Sequence, residues 1–499
     1  MKVKKKLFSF IVIFLTLVLA TLYIINFPLS KAVNPENERL ECFMIMAGRD
    51  TTTDGSVLLA HNNDLTGKEA SLIEKFPGLK HEPGEHILFP SGLKIPQVDE
   101  TLEWMVLRIY KGFAEGDAVA VNEFQVAIAG GLALGDDRNE NAVKADPLIK
   151  KGLTGGVRYI ALQRSRTARE CVELIGSLYT KHGVTYPSGV GIADPDEIWY
   201  MESGGGRSWA AVRIPDDAVW VQANGYRIGE IDFKDKSNFL TSPKLKEFAV
   251  KKGLWNPSGG KFNFARAFGR KKRTPENRFY NSRRIWRGMS LLEPSLDLDP
   301  DSEKFPLFIR PEEKINLKKL FSILRDHYNG TRYDIYSEKE DSRRERSIAV
   351  PGSVHTNVLQ LRGWMPHDIG AVLWAGVGPV PFSIYVPFYF GINTVPEPFG
   401  KAGKEYDQGS AFRIFRSLCD LITPRFNKFA GKIIGEWKIF ETEELVRQDK
   451  IEKKAMLLFR KNKAAGKQYL TEYTGTQAIR SLKKGEIKLK EFQKKVKSG

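Results

Sequence analysis

Cysteine is scarce in this chain: Cys42, Cys171 and Cys419 are the only three in 499 residues. Three thiols cannot all pair, so a disulfide framework is excluded, and they are too few to build a metal cluster from cysteine alone. Histidine is sparse too, with seven residues. None of them, His327 and His355 included, sits in the local signature of a papain-type Cys-His pair. No internal repeat marks a solenoid or propeller. Zinc-finger spacing, an aromatic-plus-basic RNA-binding signature and a basic region feeding a heptad seam are also missing. Nucleic acid is therefore not an expected partner, although the net charge is +17. Much of that excess is lysine near the C-terminus, the pattern of a solvated helical face with a non-specific preference for anions.

The remaining composition, 42% hydrophobic and 27% charged, is that of a globular protein. The chain opens with Lys2, Lys4, Lys5 and Lys6, and residues 7–26 are almost unbroken Leu, Ile, Val and Phe, the order of an export signal. Ser30-Lys31-Ala32 offers small residues to a signal peptidase, whereas the apolar run is also long enough to stay as a membrane anchor. Residues 1–32 are thus expected to be a signal peptide or signal anchor, with membrane contact through 7–26 if uncleaved. The rest would then work outside the cytoplasm, secreted or membrane-anchored. A lipoprotein would need small residues directly before Cys42, and Arg39-Leu40-Glu41 does not supply them. Residues 33–41 read as a short propeptide ending at the Glu41–Cys42 bond.

From Cys42 an apolar run reaches Ala47, Thr53-Asp54-Gly55-Ser56 has turn chemistry, and Val57–Ala60 leads into His61-Asn62-Asn63-Asp64. This pattern predicts a hairpin that returns the His61–Asp64 cluster to the side of Cys42. Further strands are expected at Trp104–Tyr110, Phe124–Ala129, the hairpin 189–202, the pair 208–214 and 218–223, Ala371–Trp374 and Phe382–Phe388. Helical spacing marks Tyr159–Ser165, Thr167–Thr180 closed by Gly183, Asn277–Leu292, Leu317–Tyr328 and the chain from Ser410 onward. Cys171 and Cys419 fall on such helices as small buried hydrophobes.

If the chain is cut before Cys42, one residue supplies both a thiol nucleophile and an amine of reference pKa about 7.7–8.0, able to take the thiol proton without a separate histidine. An amide-cleaving thiolate also needs donors aimed at an oxyanion, a role worth about 3–4 kcal/mol per donor. Asn122 and Asn224, each delivered at a strand end, are the candidates. Asp64 could accept a hydrogen bond from the amine.

Together these segments resemble the N-terminal-nucleophile (Ntn) cysteine dipeptidases, relatives of secernins and, more distantly, of choloylglycine hydrolase and penicillin V acylase. The resemblance rests on Cys42 with Asp54-Gly55-Ser56 and Asn62-Asn63-Asp64, on Asn122-Glu123-Phe124-Gln125-Val126-Ala127, and on Ile192-Ala193-Asp194 through Glu202. Trp209 through Asn224 and Arg227-Ile228, Leu324-Arg325-Asp326-His327, Tyr385 through Tyr389, and Tyr469-Leu470-Thr471 extend it over residues 42–480. It implies an α+β fold, the four-layer αββα sandwich of Ntn hydrolases, with a catalytic domain at 42–440 and a helical, basic segment at 441–499 packed on the same domain. It further implies Cys42 as nucleophile, Asn122 and Asn224 at the oxyanion site, Asp64 on the amine, a dipeptide or small amide as substrate, and no metal or other cofactor. His61 and Asn62 would contact substrate, with Arg283 or Arg284 taking part. His61 stands where the family commonly has arginine, and a neutral histidine cannot supply a permanent charge. An N-acyl amidase or acyltransferase with the same nucleophile, and a non-catalytic secernin-like binding protein, are the alternatives. Neither side-chain preference nor oligomeric state follows from the sequence.

Overall fold

The computed structural model describes residues 41–65, 69–110, 118–270, 278–337, 345–401 and 409–497. The expected signal or anchor at 1–32, with its apolar run at 7–26, and nearly all of the propeptide at 33–41 lie outside the described residues. Among the described residues no helix is long and apolar enough to cross a membrane.

The described residues form, in order, the strands β1 (Glu41–Ala47), β2 (Val57–Asp64), β3 (Ser71–Phe76), β4 (His86–Leu88), β5 (Lys94–Pro96), β6 (Trp104–Ile109), β7 (Ala118–Asn122) and β8 (Ala127–Ala133); then β9 (Ser188–Ala193), β10 (Ile198–Ser203), β11 (Trp209–Ile214), β12 (Val219–Gln222), β13 (Phe239–Thr241), β14 (Ser353–Leu361), β15 (Val372–Val377) and β16 (Val386–Tyr389). One sheet has the order β12-β1-β2-β14-β15-β16 and the other β13-β11-β10-β9-β8-β7-β6-β3, while β4 and β5 form a separate hairpin. The pairings within both sheets are antiparallel.

The two sheets lie face to face, with β1 and β2 over β8 and β9. A Cβ at Gly191 of β9 would lie 2.7 Å from the sulfurs of both Met44 and Met46 of β1, so a larger residue there would displace both methionine side chains. Helices α1 (Val157–Leu162) and α2 (Ala168–His182) cover the outside of the eight-stranded sheet. The other sheet is covered by α3 (Arg283–Leu292), α4 (Leu317–Leu324), α5 (Ala411–Ile422), α6 (Phe426–Lys461) and α7 (Lys463–Lys497). The result is the α+β, four-layer αββα sandwich implied by the family resemblance.

Local chemistry fixes the ends of these elements. Thr167 accepts a hydrogen bond from Glu170 N at the start of α2, and Gly183, at φ 72°, closes it. Asn316 caps α4 in the same way, and Ser410 caps α5. Helix α4 stops at Leu324, before the expected Tyr328, which has φ 68° and leaves the helical path. The island expected from residue 277 starts with a π-turn at Arg278–Ser282 before α3. In the opening hairpin Asp54 accepts from Ser56 N (3.1 Å), Gly55 takes φ 78°, and Cys42 falls opposite Asn63. A slip of one residue would turn the thiol to the other face of the sheet.

Helix α6 continues unbroken through the expected boundary at 440/441. Just beyond that point Glu441 accepts from buried Arg325 (2.8 Å), and Glu452 holds buried Arg362 through two contacts of 2.8 and 2.7 Å. These pairs fasten the terminal helices to the core, so the segment from 441 is structurally continuous with the rest.

Candidate active site

Cross-strand partners in a sheet share a face. Cys42 on β1 is opposite Asn63 on β2, which is opposite His355 on β14; Met44, His61 and Asn357 form the next such row. Met44 reaches the other sheet at Gly191, so both rows point into the space between the sheets. The intervening residues Phe43, Asn62 and Thr356 point outward: Phe43 packs at Gly288 of α3, and Asn62 bonds under α4.

Cys42 is 1% exposed. Its backbone N donates to Asn224 Oδ1 at 3.0 Å, and its Sγ stands 3.8 Å from Asn63 Oδ1. Asn224 follows the end of β12, the strand that flanks β1. Its Oδ1 also accepts from Arg284 Nη2 at 2.7 Å, while Arg284 Nη1 lies 3.2 Å from Asp64 Oδ2. Arg284 and Asp64 are both fully buried, with Arg346 a further 3.8 Å from the same carboxylate oxygen. The guanidinium is aimed by the carbonyl of Tyr280, one turn earlier in the chain, through Nε at 2.7 Å. Burial raises the cost of each charge, and the Arg284–Asp64–Asn224 chain meets that cost with charge-assisted hydrogen bonds.

The loop after β12 is held to the other sheet. Glu202 accepts from Arg227 N (2.7 Å) and Ile228 N (3.2 Å), and burial pushes its carboxyl up to about 8. Gly225 is pressed against the π-turn: a Cβ there would fall 1.8 Å from Asn281 Nδ2.

The residues expected from the sequence do not all meet at Cys42. Asn224, Asp64 and Arg284 are brought together at Cys42 as one connected group. Asn122 is not: it closes β7 in the opposite sheet, and its amide is spent on Leu162 O (2.8 Å), Ser165 O (2.7 Å), Phe124 N and Val126 N (both 3.0 Å). With all its hydrogen bonds committed to tying a turn to α1, it has none for an oxyanion. Asn62 is likewise engaged, donating to Leu324 O (2.8 Å) and Ile348 O (3.0 Å) and accepting from Thr356 (2.6 Å) on the outer side of the sheet, away from Cys42. Arg283 turns away to Asp301 (3.1 Å) and Glu345 (3.2 Å), with its guanidinium 3.7 Å from the Tyr333 ring centre.

His61 stands on the inner face, its ring centre 6.2 Å from that of His355. Burial, reinforced by the Arg158 guanidinium, holds His61 at about 3, and burial followed by the neighbouring His61 holds His355 well below the usual histidine range. Both rings are therefore neutral at physiological pH. Asn63 was given no role of its own by sequence reasoning, Arg346 and Asn357 were missed, and His355 was weighed only as a structural or substrate-contacting residue. Strand alternation from Cys42 across the hairpin would have singled out Asn63, whereas β14 has no local signal linking it to β2.

The model of peptidase family C69 matches residues 41–438. A probable dipeptidase of Salmonella dublin is 30% identical over 389 residues, covering 76% of this chain and 89% of that protein. A probable dipeptidase of Latilactobacillus sakei is 28% identical over 423 residues, covering 81% and 88%, and probable dipeptidase B of Lactococcus lactis subsp. lactis is 30% identical, covering 74% and 79%. On a match that runs from the residue before Cys42 into α6, the chain belongs to peptidase family C69.

Proposed function

We propose that this protein is a dipeptidase that uses Cys42 as an N-terminal nucleophile after the Glu41–Cys42 bond is cut. The observation that carries the reading is the 3.0 Å contact from Cys42 N to Asn224 Oδ1, with Arg284 and Asp64 behind it. The nitrogen that would become the free amine already has a polar cradle in the precursor, on the strand whose thiol faces the space between the sheets.

Processing follows from the same groups. The Cys42 thiol adds to the Glu41 carbonyl, the C–N bond breaks as the amine takes a proton, and water hydrolyses the resulting thioester, releasing the segment that ends at Glu41. The freed amine then takes the thiol proton, and the thiolate attacks the scissile carbonyl of a dipeptide. Collapse of the tetrahedral intermediate returns that proton to the leaving amine and leaves an acyl thioester. Water, giving its proton to the Cys42 amine, releases the N-terminal amino acid. Oxyanion donation falls to Nδ2 of Asn224 and Asn63 rather than to Asn122, while Asp64 and Arg284 keep Asn224 Oδ1 on the amine. Residues 1–32 would export the chain, 33–41 would shield the cysteine until cleavage, and the catalytic domain would act outside the cytoplasm; charge-then-apolar order at the N-terminus supports this part.

The test is hydrolysis of a dipeptide panel and of matched N-acyl amino acids by the purified protein, with Cys42→Ala as control. Dipeptide cleavage that is abolished in Cys42→Ala is expected. Cleavage of N-acyl compounds alone would move the protein to the amidases, and activity that survives Cys42→Ala would remove the nucleophile.

A further inference from the structure

His61, His355 and Asn357 leave an unusual debt in the interior. Both ring nitrogens of each histidine and both amide atoms of Asn357 are buried with no hydrogen-bond partner among the described residues. All three residues are 0% exposed. An unpaired buried polar group costs about 1–3 kcal/mol, so a core made only for stability would carry leucine and phenylalanine here. The three are side by side on the two central strands, His61 opposite Asn357 and His355 in the row of Cys42 and Asn63. Strands are spaced about 4.8 Å apart, which places His61 one strand step and His355 and Asn357 two strand steps from the strand that carries the thiol. An extended residue spans about 3.5 Å, so a dipeptide whose carbonyl meets Cys42 reaches it with one side chain.

We infer that His61, His355 and Asn357 form the side-chain pocket of the substrate site and select a neutral hydrogen-bonding group, a carboxamide such as that of glutamine or asparagine. This rests on the dipeptidase reading above. A neutral imidazole offers one donor and one acceptor, and the Asn357 amide offers both; a carboxamide presents the complementary pair. No acidic side chain is among the three, so an ammonium group would lose its water without gaining a counter-charge. Arg158 is the charged residue whose field reaches His61. Its Nη1 donates to the Gly130 carbonyl, which identifies the competing occupant to be tested: a carboxylate drawn by that guanidinium.

The experiment uses the mature protein and uncleavable hydroxyethylene isosteres of Ala-Gln, Ala-Leu, Ala-Glu and Ala-Lys and of the four reversed dipeptides, with binding read by calorimetry and cleavage of the parent dipeptides read separately. In one of the two orders the glutamine isostere is expected to bind at least about tenfold tighter than the other three, since a site built for hydrogen bonds rejects analogues that leave it unpaired. Asn357→Leu is expected to bring glutamine to within about threefold of leucine. Tightest binding of glutamate, of lysine or of leucine, or no ranking in either order, would overturn the pocket, and the wild-type ranking decides this even if Asn357→Leu does not fold. Cleavage of all parent dipeptides without discrimination would remove the pocket and leave the hydrolase. Selective binding without cleavage would do the reverse.

Discussion

Asn224 is the residue on which the site turns, because its Oδ1 is shared by Cys42 N and Arg284 Nη2. Asparagine can serve both donors only while Arg284 is held by Asp64, so Arg284 is a positioning residue. Arg284→Met removes the 3.2 Å guanidinium contact from the fully buried Asp64 carboxylate. It is expected to cost about 3–5 kcal/mol in urea unfolding and to reduce kcat far more than it raises KM; Arg284→Lys restores charge without the fork and recovers stability more than kcat. The two inner histidines make a separate prediction about acid. Their folded pKa values lie below the unfolded value near 6.5, so the unfolded chain binds more protons at low pH. Above pH 6.5 protonation takes nothing from the folded state, and the protein loses stability as pH falls toward about 3 for His61. Each ring adds up to about 1.4 kcal/mol per pH unit over that window. Unfolding free energies at pH 7, 6, 5 and 4 are expected to fall steeply, and His355→Leu to flatten the slope by one ring's share; an unchanged slope would mean that His355 is not the titrating group.

At the scale of elements, the loop from Asn224 to Ile228 is clamped between the π-turn before α3 and the Glu202 carboxyl. Gly225→Ala puts a methyl into Asn281, an overpacking worth about 1–3 kcal/mol. Because relief of that clash moves Asn224, kcat/KM is expected to fall by more than about tenfold while the protein stays folded by circular dichroism. The opening hairpin was legible because its turn residues and strand alternation are local, and they fixed which cluster would return to Cys42. Helix α2 was legible from its cap and closing glycine. Strand β14 was not: Ser353-Val354-His355-Thr356-Asn357 carries four polar residues in five, a composition that reads as an exposed loop or edge, yet every residue in it is buried. His355 and Asn357 face the space between the sheets and Thr356 bonds Asn62 on the outer side, so the usual link between polarity and exposure fails there. Asn122 could not be told apart from Asn224 for a related reason, since a strand-end asparagine bonded within a turn and one beside Cys42 carry the same sequence signature. The distinction lies in which sheet face the strand presents, and that is set by long-range pairing.

For the whole molecule, the four-layer sandwich places the thiol between two sheets, while the helices outside hold the charged machinery that orients it. The terminal helices belong to this arrangement. A chain ending at residue 440 would lose Glu441 and Glu452 and strand buried Arg325 and Arg362, each at a cost of about 3–5 kcal/mol. Against a total stability typically near 5–15 kcal/mol, that truncation is expected to be insoluble or unfolded, as judged by soluble yield and circular dichroism. The central claim concerns one bond. While Cys42 N is an amide it cannot act as a base, so the proposed mechanism requires that Glu41 be removed. Intact mass with N-terminal sequencing of the active, purified protein tests this directly: the account predicts a chain beginning at Cys42, and an active chain beginning at any other residue would contradict it.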